Sequence, residues 1–266
     1  MNSADRKKLI QRYYSLRAKD YDRQKSRTWE STQGFSNEIT DELLDALKDF
    51  KNKLVLEVGV GSGRNALPLL AEINPRFIGL DLSREMLKLA RVKMASSKKN
   101  VDLILGDAEH LPLADEVFDA VVCMSTMHYF AFQEKVLLEF SRMLKRKSVL
   151  VCGDLTVHEL DGQGFFEALE RTLSKAHAGY HKPSEIKSML EANGFRVSRL
   201  KTFAYRKSYK ALMEDKGRVF QCQTRNTSRN HIQCLHRRKR TICSNRHWTN
   251  TILHDDRSIN KRLNPM

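Results

Sequence analysis

The run Leu54-Val55-Leu56-Glu57-Val58-Gly59-Val60-Gly61-Ser62-Gly63-Arg64-Asn65 constrains this chain more than any other stretch. Its first five residues read as a buried strand. The Gly-x-Gly-x-Gly that follows makes a tight turn whose backbone N–H groups a ligand can approach closely. A strand feeding a glycine turn and then a helix opens a parallel α/β sheet. The turn is not a P-loop, because G-x-x-x-x-G-K-[ST] is absent. It does not have the dinucleotide spacing G-x-G-x-x-G either, since the sixth position from Gly59 is Arg64.

The same alternation continues along the chain. Strands are expected at Arg76–Asp81, Val101–Leu105, Phe118–Met124 and Ser148–Cys152. Ser83 is placed to cap a helix carrying Met86, Leu87, Leu89, Ala90 and Met94 on its apolar side. Val136, Leu137, Phe140, Met143 and Leu144 mark another helix, and Pro183 opens a third that stops at Asn193-Gly194. Phe195–Leu200 and Tyr205–Met213 read as two closing strands. Strands alternating with helices of this length give an α/β fold with a parallel sheet covered on both faces.

Acids at the strand ends sharpen the reading. Asp81 ends the second strand, where a carboxylate can accept from two ribose hydroxyls, and Asp107 ends the third, within reach of an exocyclic amine. Glu57 lies just before the glycines. Three such carboxylates around one turn repel one another unless a ligand rich in donors or positive charge joins them. An adenosine bearing an amino acid and a sulfonium, without phosphate, suits this lining.

On VLEVGVGSGRN, FIGLDLSREML, LILGDAEHLPLADEVFDAVVCMSTMHYF and SVLVCGDL, the chain resembles the class I S-adenosylmethionine-dependent methyltransferases of the type 11 family. The likeness covers roughly residues 40–155, with a weaker echo in SEIKSMLEANGFRV. It implies a Rossmann-like class I methyltransferase fold with a seven-stranded, mostly parallel sheet, the last strand antiparallel. It also implies S-adenosyl-L-methionine as cofactor. Glu57, Gly59, Gly61 and Gly63 would border its methionine part and Asp81 its ribose. Leu82 and Met86 would pack near the adenine, Asp107 and Ala108 would face the adenine edge, and Met124 would close the site. Tyr21 would sit in an N-terminal lid. The family's Pro-Gly-Gly turn before the fifth strand is here Lys145-Arg146-Lys147, so that turn must differ.

Methyl transfer from a sulfonium is an in-line displacement that gains most from positioning in a dry pocket. Where the acceptor must lose a proton, His128 after the fourth strand is the best-placed base, with Asp154 a weaker candidate. His158, His177 and His181 read as surface residues. No Asn/Asp-Pro-Pro-aromatic sequence follows the fourth strand, so a small quinone-, lipid- or metabolite-like acceptor is expected. Two readings compete with it: an RNA or tRNA methyltransferase, and a cofactor-binding subunit without turnover.

The boundaries expected are a helical lead-in or lid over residues 1–50, the methyltransferase domain over 51–213, and a basic tail without regular structure over 214–266. From Asp215 on there are 12 Lys/Arg against 3 Asp/Glu and only 9 Leu/Ile/Val/Phe in 52 residues, too few to bury a core. Arg237-Arg238-Lys239-Arg240 could attract nucleic acid, yet the remaining charge is ordinary, so nucleic acid is not the favoured partner. No metal site is expected; Cys234, His236, Cys243 and His247 lack paired Cys-x2-Cys spacing. No run approaches the ~18 apolar residues of a membrane span, and MNSADRKKLIQR is too charged for a signal peptide. A cytoplasmic protein with free thiols is the expectation.

Overall fold

The computed structural model describes residues 2–22, 33–95, 97, 99, 101–157, 176–205 and 248–256. In chain order the elements are α1 (Ser3–Arg17), α2 (Gln33–Ala46), β1 (Leu54–Val58), α3 (Ala66–Pro68, running on as a wider turn over Leu69–Ile73), β2 (Arg76–Asp81), α4 (Arg84–Ala95) and β3 (Val101–Leu105). They continue with β4 (Phe118–Met124), α5 (Gln133–Met143), β5 (Leu144–Thr156), α6 (Pro183–Ala192), β6 (Val197–Tyr205) and β7 (Trp248–Asp256). The sheet order is β3-β2-β1-β4-β5-β7-β6. Five adjacent strands, β3 to β5, are parallel, and β7 runs antiparallel to both its neighbours.

Strand alternation sorts the core into two layers. Leu56, Val58, Val121, Cys123, Leu150 and Cys152 meet α5 and α6 through Val136, Leu137, Phe140, Ile186 and Leu190. Val55, Ala120, Val122, Met124 and Val151 meet α2 and α4 through Leu43, Leu47, Leu87, Ala90 and Met94. Helices therefore cover both faces, which explains why the parallel strands carry apolar residues at consecutive positions. Phe77, Phe118 and Phe140 are among the fully buried side chains, each contributing about 1.5–3 kcal/mol. Cys123 and Cys152 are free thiols facing each other in the β4–β5 register, small core residues as expected.

Two elements differ from the sequence reading. α5 runs straight into β5, and the register jumps from Phe118↔Leu144 to Ala120↔Val149, so Lys145–Ser148 bulge out. Asp119 holds the bulge, accepting from Leu54 N (2.8 Å) and Lys145 Nζ (2.9 Å). Lys147 turns the chain at φ 59°, the left-handed region a glycine would normally fill. Of the two expected closing strands, the first is β6, which runs through Tyr205, and residues 206–213 of the second lie outside the described residues; β7 comes from within the segment set aside as a tail. Averaging composition over 52 residues hides a nine-residue stretch with β-branched and aromatic character, Trp-Thr-Asn-Thr-Ile-Leu-His-Asp-Asp. Arg237–Arg240, Cys234, His236, Cys243, His247 and His158 lie outside the described residues.

Candidate active site

The order β2-β1-β4 reverses direction of winding at β1, and one cavity opens at the carboxyl ends of the strands there, where α/β sheets place ligands. The glycine turn forms its floor. Gly59 (φ 76°) and Gly61 (φ 56°) hold left-handed conformations, and a Cβ on Gly59 would overlap the Thr126 side chain after β4. The β1 turn and the β4 end therefore close on each other only because position 59 lacks a side chain. Gly61 N donates to Asp81 Oδ2 (2.8 Å) and Ser83 N to Asp81 Oδ1 (2.8 Å), tying the glycine turn to the end of β2.

Of the expected cofactor residues, Tyr21, Gly59, Gly61, Asp81 and Leu82 line this cavity, together with Met86, Asp107, Ala108 and Met124. Glu57 and Gly63 do not. Gly63 packs under α4 against Met94 and Ala90. Glu57 is fully buried behind Asn65, whose Nδ2 donates to its Oε1 (3.1 Å), while Oε2 has no hydrogen-bond partner. Burial pushes the Glu57 carboxyl up to about 8, against the pull of Asn65 and the Arg64 charge. Burial likewise raises Asp81, opposed by the backbone N–H groups it accepts.

Asp107 behaves differently, and this corrects the expectation of mutual repulsion among the three acids. Burial works to raise it, but Lys7 of α1 and the Glu109 N–H outweigh burial and hold it below the usual range. Lys7 Nζ lies 2.6 Å from Asp107 Oδ2 and 2.5 Å from Glu109 Oε2. Asp107, Glu109 and His110 are close enough together to suggest a cation site, and the Lys7 ammonium is the cation that sits on two of them.

α1 lies along the cavity within the segment where a lid is expected, and it carries residues the sequence reading passed over. One stripe at four-residue spacing grips the Asp81–Glu85 and Asp107–Glu109 loops. Ser3 Oγ donates to Glu109 Oε2 (2.9 Å), Lys7 binds as above, Gln11 Nε2 donates to Leu82 O (3.1 Å) and Ser15 Oγ to Glu85 Oε2 (2.8 Å). The adjoining stripe of Arg6, Ile10 and Tyr14 lines the cavity on the side of β4. Tyr14 packs edge-on against Tyr129, ring centroids 5.6 Å apart, and lies 6.1 Å from Tyr21. Burial raises Tyr14, Tyr21 and Tyr129, so their phenols stay protonated donors. Beyond Tyr21, Asp22 accepts from Ser62 Oγ (2.9 Å) in the glycine turn and pairs with Lys93 (2.6 Å). The signal for α1 was polar residues repeating every four positions, which a search for apolar stripes cannot see.

His128 is buried but does not stand in the cavity wall. Asp154 Oδ2 accepts from its backbone N (2.8 Å) and Asp154 Oδ1 lies 2.6 Å from Nδ1, a hydrogen bond that fixes the ring's orientation. The ring packs at a 45° tilt against Tyr129 (centroids 4.2 Å), and the His128 carbonyl accepts from Ala178 N (2.8 Å). His177 is not a surface residue: it is buried with its ring 5.5 Å from His128 and 4.1 Å from Tyr180. His181 is half-buried near Glu185.

The strand order, the glycine turn after β1 and the acids at the ends of β2 and β3 define the class I S-adenosylmethionine-dependent methyltransferase fold. Residues 56–152 match the family model described as a methyltransferase domain. The chain is 32% identical to the uncharacterized methyltransferase YcgJ of Bacillus subtilis over 144 residues, 52% of this chain and 55% of YcgJ. The crystal structure of YcgJ superposes with a TM-score of 0.66 at 21% identity, covering 84% of this chain and all of YcgJ. Thermotoga maritima demethylmenaquinone methyltransferase is 28% identical over 188 residues, 62% of this chain and 80% of that protein. Haemonchus contortus phosphoethanolamine N-methyltransferase 2, solved with S-adenosyl-L-methionine, has a TM-score of 0.56 at 20% identity over 81% of this chain and 52% of its own. Across four curated relatives, YcgJ among them, the chain spans between 40% and 63% of the relative's length. Among the described residues no helix is long and apolar enough to cross a membrane.

Proposed function

We propose that the chain transfers a methyl group from S-adenosyl-L-methionine to a small-molecule acceptor. The observation that carries this reading is Asp81, bridging the glycine turn and the β2 end inside the cavity. Its two oxygens accept the Gly61 and Ser83 N–H groups and keep lone-pair capacity for the ribose hydroxyls. Asp107 and Ala108 offer the adenine edge its acceptor and an apolar wall, with Leu82 and Met86 beside it. The lining offers a nucleoside's hydroxyls and amine their acceptors, and the glycine turn has neither the P-loop lysine nor the dinucleotide spacing. That donor and acceptor set fits a nucleoside without phosphate. The cofactor supplies an electrophilic methyl on a sulfonium when bound.

The chain's own residues then position and shield. α1 covers the site, Tyr14, Tyr129 and Phe130 exclude water on the β4 side, and Asn65, on the cavity wall, donates to the buried Glu57 behind it. His128 is in this reading a positioning residue: with Asp154 it fixes the turn that delivers Tyr129 and anchors the 176–180 segment. The demethylmenaquinone methyltransferase of T. maritima supports a small acceptor. Calorimetric titration of the full chain with S-adenosylmethionine, S-adenosylhomocysteine and NAD tests it. Micromolar binding of both sulfur ligands, roughly −8 kcal/mol, and none of NAD is expected; NAD binding without the sulfur ligands refutes it.

A further inference from the structure

The two stripes of α1 divide the cavity between two ligands. Ser3, Lys7, Gln11 and Ser15 spend their polar groups on the loops that would hold adenosine. Arg6, one position round the helix from Lys7, faces the other half. Its Nη1 donates to His177 O (2.8 Å), on the segment anchored by His128, which fixes the guanidinium at the acceptor side of the cavity. Its Nε is shut off from water and has no hydrogen-bond partner. Among the described residues no carboxylate pairs with it, whereas Lys7 beside it is matched by two.

An arginine Nε–H shut off from water and left unmade is costly, and a carboxylate or phosphate oxygen satisfies that edge with strong, charge-assisted bonds. Arginine presents Nε–H and Nη2–H as a fork suited to such an oxyanion. We infer that Arg6 selects an acceptor carrying an anionic group, a carboxylate or a phosphate, and that a small turn about the Nη1 anchor brings the Nε edge onto it. Tyr14 and Tyr129, which share the cavity wall with Arg6 and pack on each other, then flank the part of the acceptor that receives the methyl group. The inference rests on the methyltransferase reading for its chemistry, and on Arg6 for the anion.

Arginine Nε–H resonances of the full ¹⁵N-labelled chain provide the test, with the Arg6 signal identified by its loss in Arg6→Lys. Sodium acetate, inorganic phosphate and acetamide are titrated at constant ionic strength, without and with saturating S-adenosylhomocysteine. The Arg6 signal is expected to move saturably with acetate or phosphate and not with acetamide, and Arg6→Gln to weaken that binding at least tenfold, read on neighbouring amides. The anion that saturates at lower concentration identifies carboxylate or phosphate. An Arg6 signal unmoved by either anion in both states overturns the inference on the wild-type chain, whatever the variants do. Anion binding without any response of the Gly61 amide to S-adenosylhomocysteine supports the anion site and sinks the methyltransferase reading instead.

Discussion

Replacing Glu57 with glutamine asks whether the carboxyl beneath the glycine turn is neutral in the folded protein. Glu57 is fully buried, one oxygen takes Asn65 and the other has no partner, and burial moves its pKa from 4.5 to about 8. The folded state therefore binds a proton between about pH 4.5 and 8 that the unfolded state has released, so stability falls as pH rises through that window. At 1.36 kcal/mol per unit, the loss is about 1 kcal/mol at pH 5 and saturates at ~5 kcal/mol near pH 9. The glutamine side chain mimics the protonated form: its carbonyl still accepts from Asn65, and its amide leaves a donor unmade as the protonated acid does. Urea unfolding of both proteins without cofactor, at pH 5, 7 and 9, isolates this group, because every other titration is shared. The advantage of Glu57→Gln over the wild type is expected to grow by ~4 kcal/mol from pH 5 to pH 9. Parallel stability curves for the two proteins would falsify the buried-acid account.

Three further outcomes follow from the geometry. Asp81→Ala is expected to weaken S-adenosylhomocysteine binding by about 1–3 kcal/mol, because it removes charge-assisted acceptors and the tie to Gly61 N together; unchanged calorimetric affinity refutes the ribose assignment. Gly59→Ala is expected to cost about 2–5 kcal/mol, from the left-handed backbone and the overlap with Thr126. Adding Thr126→Ala should relieve the overlap with Oγ1 and Cγ2, leaving the Cβ contact and the strain, and strictly additive unfolding energies would refute that contact. Lys147→Gly relieves an exposed left-handed residue at the β5 bulge, so the melting midpoint is expected to rise by about 2 °C, for roughly 0.5–1 kcal/mol; a lower midpoint means the bulge is not strained there.

The parallel sheet was legible because its strands are short apolar runs punctuated by glycine and aspartate, and because Ser83 and Asn193-Gly194 mark helix ends by local chemistry. Local signals need no knowledge of what lies opposite. The glycine turn, Asp81 and Asp107 were legible for the same reason: position relative to a strand end is written in the sequence. What failed were readings that depend on a partner far along the chain. β7 is a strand because the edge between β5 and β6 needs backbone partners, and only pairing with residues nearly a hundred positions earlier reveals it.

Tertiary structure alone decided the lid and the charge of the site. Nothing in Ser3, Lys7, Gln11 and Ser15 names their partners, and only folding puts Lys7 on Asp107 and Glu109, turning one of three repelling acids into half of an ion pair. It also moved Glu57 and His128 behind the cavity wall, and left Arg6 facing the acceptor half with an N–H unmade. Residue type and local spacing set which elements form and where a nucleoside can sit. Which charges are paired, buried or left open depends on distances between segments that sequence order does not contain.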